Sequence, residues 1–123
     1  MKSFLFVFLG GGLGSALRYL VASAMNQYSK VLPYGTFTVN ILGCLLIGMI
    51  LGYAQKENTL TSNQTLLLAT GFCGGFTTFS AFANENLELI KNGEIFNFSV
   101  YTIGSVLIGI FAVLIGFYFS KNF

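Results

Sequence analysis

Long apolar runs broken by short polar hinges set the plan of this chain. The runs cover about residues 3–28, 33–54, 64–87 and 96–119. Each matches a helix that crosses a hydrocarbon core, which takes about 20 residues. The hinges fall at residues 26–30, 55–63 and 88–95. Thr61 and Gln64 have the spacing of a capping box that opens the third helix. Pro33, the only proline, suits the first turn of the second helix, where its missing N–H costs nothing. Asn92-Gly93 signals the turn that closes the third hairpin. The pattern predicts an all-α membrane protein: one transmembrane domain over residues 1–123, with four spans and no linker or separate soluble part.

Composition narrows the function. Only 8% of the residues are charged and 54% are apolar, whereas a soluble domain carries about 25% charged residues. His, Trp and Asp are absent, which closes most routes to acid–base or metal chemistry and argues against an enzyme. Lys2, an apolar run and Ala22-Ser23-Ala24 superficially fit a cleaved signal peptide. Arg18 falls between that run and the site, so the segment reads as a retained first span. Cys44 and Cys73 sit mid-span with no His or carboxylate near in sequence, and read as small packing residues.

Threading the spans puts Lys2, Lys56 and Lys121 on one side and Lys30 and Lys91 on the other. Arg18 lies within the membrane, nearer the second side. Orientation normally follows an excess of Lys and Arg in cytoplasmic loops, and here there is almost none. Two readings stay open: insertion both ways up, allowing oppositely oriented copies to pair, or a single orientation imposed by something else. Small residues recur at helix-packing spacing in Gly10/Gly14, Gly11/Ser15, Gly48/Gly52, Gly71/Gly75 and Ser105/Gly109. Such pairs let helix backbones approach closely where lipid removes the hydrophobic drive. No strand precedes the Gly10–Gly14 run and no Lys-Ser/Thr follows it, which excludes a nucleotide loop.

Three patches exceed what packing requires. In the second run Thr36 and Asn40 share a helical face, with Gly43 a turn beyond. A buried amide facing hydrocarbon loses several kcal/mol of hydrogen bonding, so Asn40 must face protein or a wet path. The fourth run carries Tyr101 and Ser105. The third patch, from Gly71 to Ser80, sets glycines before consecutive threonines mid-span, a poor continuous helix. It reads as a break whose freed carbonyls lie at membrane depth, a standard way to hold an ion. Beyond it Phe79 and Phe82 share a face, and their positive ring edges suit an anion.

These residues resemble a known family. Gly11-Gly12-Leu13-Gly14-Ser15-Ala16-Leu17-Arg18-Tyr19, Gly35-Thr36-Phe37-Thr38-Val39-Asn40-Ile41-Leu42-Gly43 and Gly71-Phe72-Cys73-Gly74-Gly75-Phe76-Thr77-Thr78-Phe79-Ser80-Ala81-Phe82 are similar to the three signatures of the Fluc (CrcB) small fluoride channels. The resemblance covers essentially the whole chain in order and spacing. It implies a dual-topology antiparallel homodimer in a microbial plasma (inner) membrane that passively exports cytoplasmic fluoride. It further implies two pores lined by both subunits and one structural sodium ion, never transported, on the dimer axis. By motif match, the carbonyls of Gly74 and Thr77 from both chains hold that sodium. Phe79 and Phe82 are the pore phenylalanines, Asn40 the pore amide, and Tyr101 and Ser105 part of the polar track, with Thr36 and Glu85 flanking the route. A serine is often found one turn past Ser105; here that position is Gly109. The partners are then fluoride, a second copy and membrane lipid, with no nucleic acid. A full positive charge at the constriction would bind the ion too tightly to release it, which places Arg18 near a vestibule. The competing reading, a small multidrug-type proton-coupled exporter, needs a carboxylate in the first span, and that span has none.

Overall fold

The computed structural model describes residues 2–27, 31–56 and 59–123; the expected end of the first span at Tyr28, and Lys30 on its hinge, lie outside them. Among the described residues the regular structure is all helical, with four helical stretches long and apolar enough to cross a membrane. Helix α1 is Lys2–Asn26 and α2 is Tyr34–Gln55. The third stretch is composite: α3 (Ser62–Thr65), a π-helical segment (Leu66–Cys73), α4 (Gly74–Phe76) and α5 (Phe79–Lys91). Helix α6 is Ile95–Asn122.

Local sequence sets the helix ends. The Thr61 hydroxyl accepts from the Gln64 N–H at 3.1 Å, and the Gln64 side chain accepts from the Thr61 N–H at 3.0 Å. This reciprocal box opens α3. Helix α5 stops at Asn92 because Gly93 turns to φ 76°, a left-handed conformation that glycine takes without penalty. The Glu94 N–H then bonds the Leu89 carbonyl at 2.8 Å and the Gly93 N–H the Ile90 carbonyl at 3.1 Å, a Schellman closure. Pro33 stands at the N-cap of α2 rather than inside its first turn, and its carbonyl accepts from the Phe37 N–H at 3.1 Å.

Backbone contact holds the helices together. Helix α2 packs chiefly on α6, and α1 on the π-helical segment and α4. A Cβ at Gly48 would overlap the Val113 carbonyl, and one at Gly116 the Leu45 carbonyl, so α2 and α6 meet with nothing between their backbones. Helix α1 meets the third stretch the same way: Gly10 lies against Leu67, Gly14 against Phe72, and Gly75 against the Gly11 carbonyl. Gly109 is different, since a Cβ there would rest 3.5 Å from the Cys44 sulfur in ordinary contact. Cys44 and Cys73 are both free thiols. The buried core is thin, with Val39, Cys73, Phe76, Phe82 and Tyr101 among its members. Leu and Phe side chains such as Phe4, Phe8, Leu107 and Phe111 point outward, as suits a chain whose solvent is lipid.

These contacts predict a contrast within α1. Gly14→Ala forces a methyl onto the Phe72 carbonyl and should lower stability in detergent by about 1–3 kcal/mol, the usual cost of overpacking. Gly12→Ala meets open space and gains the same helix propensity, so it serves as the matched control. Thermal unfolding of both variants measures the difference; equal midpoints would show that the backbone contact contributes nothing.

Candidate functional site

Helical geometry stops at Phe76. Thr77 (φ −86°, ψ 159°) and Thr78 (φ −149°, ψ 118°) are extended, and helix resumes at Phe79. The glycine pair, expected to share in a break, is instead helical: Gly74 donates its N–H to the carbonyls of Ala69 and Gly71. The extended residues are the two β-branched threonines, whose side chains disfavour helix and fit extended backbone. The Thr77 N–H and hydroxyl both bond the Cys73 carbonyl, at 3.0 and 2.9 Å. Its methyl occupies the place that a Cβ on Gly43 would fill.

Each polar group released here has to find a partner in apolar surroundings. The Asn40 amide does this for Thr78: its Oδ1 accepts from the Thr78 N–H at 2.7 Å and its Nδ2 donates to the Thr78 carbonyl at 3.1 Å. The amide plane thus stands in for a neighbouring peptide. The Thr78 hydroxyl caps α5 by accepting from the Ala81 N–H at 3.2 Å. On the opposite flank, Arg18 Nε donates to the Gly75 carbonyl at 3.0 Å, and the Ser15 hydroxyl approaches the same oxygen at 3.4 Å. The carbonyls of Gly74 and Thr77 accept no hydrogen bond among the described residues. Gly74 faces open space.

A cavity of about 520 Å³ opens beside this step, lined by Asn40, Gly74, Thr77, Phe79, Phe82 and Ser105 among others. The Ser105 hydroxyl is buried there without a partner. The rings of Phe79 and Phe82 lie 5.8 Å apart, and Phe82 lies 5.0 Å from Tyr101. The two phenylalanines are not equivalent in one chain: Phe82 is 9% exposed and belongs to the core, whereas Phe79 is 79% exposed. Past Tyr101 comes a carboxylate. Thr36 Oγ1 donates to Glu85 Oε2 at 2.6 Å and the Tyr101 hydroxyl to Glu85 Oε1 at 2.9 Å. Glu85 in turn lines a second cavity of about 380 Å³, together with Glu88 and Glu94.

Most residues singled out from the sequence therefore meet. Asn40, Gly74, Thr77, Phe79, Phe82 and Ser105 share the first cavity, and the Phe82–Tyr101 contact joins it to Thr36 and Glu85. Arg18 does not line that cavity; it reaches the step from α1. Sequence reasoning missed Ser15, whose signal was its place three residues before Arg18, and Thr78 as the partner of Asn40. It also missed Asn86 and Thr102, whose buried oxygens lack partners and which carried no signal beyond being polar in a span.

The family model described as CrcB-like protein, Camphor Resistance (CrcB), matches residues 5–117. The fluoride-specific ion channel FluC of Flavobacterium psychrophilum is 45% identical over 123 residues, covering 99% of each chain. That of Phocaeicola vulgatus is 48% identical over 122 residues, covering 98% of this chain and all of the relative. The Bacteroides fragilis protein of the same name is 46% identical over 127 residues, covering 100% of this chain and 99% of its own. With the family model matched across nearly its whole length, this chain belongs to the CrcB family.

Proposed function

We propose that this chain is the subunit of a fluoride channel, not an enzyme, that lets fluoride leave the cytoplasm of a microbe passively through its plasma membrane. The observation that carries the reading is the first cavity, where Asn40, Ser105, Phe79 and Phe82 converge in a largely apolar wall. Fluoride holds its water strongly, so a pore must offer donors in exchange. Asn40 Nδ2 has two N–H groups and gives only one to Thr78, leaving the other for an anion. The Ser105 hydroxyl is likewise uncommitted. Ring edges add weak positive potential without a full charge, and conduction needs sites weak enough to leave. The hydroxyls of Thr36 and Tyr101 point at Glu85, and an anion moving past Phe82 would draw them away from it. Relatives of nearly the same length that carry the name fluoride-specific ion channel support the same assignment.

The working unit is an antiparallel dimer of two such chains, consistent with the near-balanced lysine count and with the exposure of Phe79 and Gly74. Its axis would bring the free carbonyls of Gly74 and Thr77 from both chains to one structural sodium ion. Those oxygens fit a hard cation, because they are oxygen dipoles left without donors. Sodium would supply the positive charge that satisfies them.

Reconstituted vesicles loaded with fluoride test the channel: a fluoride electrode should register rapid release, with little chloride release, and protein-dependent flux no faster than that of empty vesicles would overturn the assignment. Phe79→Ile should slow release roughly tenfold or more, which corresponds to about 1.4 kcal/mol of barrier. As Phe79 is mostly exposed, the folded chain should be unaffected, and unchanged release would return the ring to packing.

Asn40→Asp keeps an acceptor for the Thr78 N–H but sets a second oxygen against the Thr78 carbonyl. Loss of fluoride release with assembly largely retained is expected, whereas near-normal release at neutral pH would limit Asn40 to holding the step.

Exhaustive replacement of sodium by N-methylglucamine should abolish release slowly and reversibly. Gly74→Ala should impair release more than Gly109→Ala, although neither methyl meets a short contact within one chain. Full activity after sodium removal would eliminate the ion from the mechanism.

A further inference from the structure

We infer that Arg18 is a positioning residue whose Nε–H, rather than its charge, fixes the extended Thr77–Thr78 step. This inference rests on the channel reading and concerns how its geometry is held. In an unbroken helix the Gly75 carbonyl would accept from the N–H of residue 79. The extended step carries Phe79 onto a new helix and leaves that oxygen without its own donor. Helix α1 supplies the replacement. Ser15 and Arg18, three apart and therefore on one face, converge on it at 3.4 and 3.0 Å.

The arrangement depends on how closely α1 approaches. A Cβ on Gly75 would overlap the Gly11 carbonyl, so the two backbones touch at the same glycine whose carbonyl Arg18 bonds, two turns further along α1. At that separation the guanidinium is longer than the gap requires, and it is Nε, inside the side chain, that meets the carbonyl. No acceptor among the described residues engages the η nitrogens. From the other flank Asn40 grips Thr78 by both its N–H and its carbonyl. The step is thus pinned on each side by one side chain: Arg18 on the last turn before it, Asn40 on its second residue. Loss of the Arg18 bond would leave the Gly75 carbonyl only the longer Ser15 contact and free Phe76–Thr78 to rewind toward helix. That motion would shift both the Gly74 and Thr77 carbonyls and the direction of Phe79.

Glutamine separates the bond from the charge. Its Nε2 lies the same number of bonds from the backbone as arginine Nε, so Arg18→Gln keeps a donor in place and removes the cation. Arg18→Met keeps the stem and removes both. Arg18→Lys keeps the charge and moves the donor one bond outward. We expect fluoride release by Arg18→Gln to stay within about twofold of the parent and that by Arg18→Met to fall roughly tenfold or more. The ratio between them should not change between low and high salt, because a hydrogen bond inside the protein is not screened. If Arg18→Met fails to assemble, the comparison passes to the other two, and Arg18→Gln should equal or exceed Arg18→Lys. Equal impairment of Gln and Met, a fully active Met variant, or Lys outperforming Gln would each overturn the inference and make Arg18 an electrostatic or dispensable residue. A readout independent of transport keeps the two readings apart. In protein labelled at glycine 13C carbonyl and phenylalanine 15N, which reports the three pairs Gly71–Phe72, Gly75–Phe76 and Gly116–Phe117, the assigned Gly75–Phe76 signal should hold its position in Arg18→Gln and move upfield in Arg18→Met. If the parent conducts no fluoride but this pattern appears, the channel reading fails while the positioning role stands; an unmoved signal in Arg18→Met removes the positioning role whatever the transport result.

Discussion

A helix that stops inside an apolar span must settle the hydrogen bonds it gives up, and that constraint organises this molecule. Two extended threonines free peptide groups that water would normally satisfy at a surface. Leaving one such group bare and buried costs about 1–3 kcal/mol. The protein answers with side chains from two different helices. Asn40 of α2 gives Thr78 the donor and acceptor of a peptide, and Arg18 of α1 gives Gly75 the donor it has lost. The oxygens of Gly74 and Thr77 accept no hydrogen bond among the described residues, which is what makes them candidates for the proposed cation.

The glycines explain why those side chains can reach. Four-carbon or shorter spans of side chain connect α1 and α2 to the step only because the helix backbones are in contact. Gly10, Gly14, Gly71 and Gly75 omit a Cβ at the points of closest approach along the α1 seam. Gly43 does the same for α2, where its missing side chain admits the Thr77 methyl and keeps Asn40, one turn back, against Thr78. Packing and chemistry are therefore one design here: the small residues that bring helices together also bring the polar groups within hydrogen-bond distance.

Helix number, the capping box at Thr61 and the Gly93 turn were legible because each depends on neighbours in sequence. Glycine seams were legible as spacings, but not which seam met which, since Gly48 pairs with Val113 and Gly14 with Phe72 across long separations. The interruption was read from glycines followed by consecutive threonines; the glycines stay helical, Gly75 in contact with α1 and Gly74 facing open space, and the backbone departs only at the threonines. Asn40 announced itself as an amide with nowhere to go in lipid. Its partner did not, because Thr78 answers with backbone atoms, which no sequence pattern displays. Arg18 was read by its charge, and the bond it makes uses a nitrogen that shares that charge only as part of the fork.

The electrostatics of the two cavities follow from the same accounting. No line of positive charge runs along either cavity among the described residues. Arg18 is turned onto the backbone outside the first cavity, and the second cavity carries the carboxylates of Glu85, Glu88 and Glu94. Lys91 stands 3.5 Å from Glu88 and offsets it in part. Two hydroxyls already spend their protons on Glu85. In the proposed channel an anion arriving at Tyr101 would compete with a carboxylate for the same donors, and each donor it gained would be one that Glu85 gave up. Such an exchange would let the hydroxyls bind the ion without ever being left bare, and it would hold the net gain per site small. Small gains at successive stations are what rapid passage requires, since a site that bound a dehydrated anion outright would trap it.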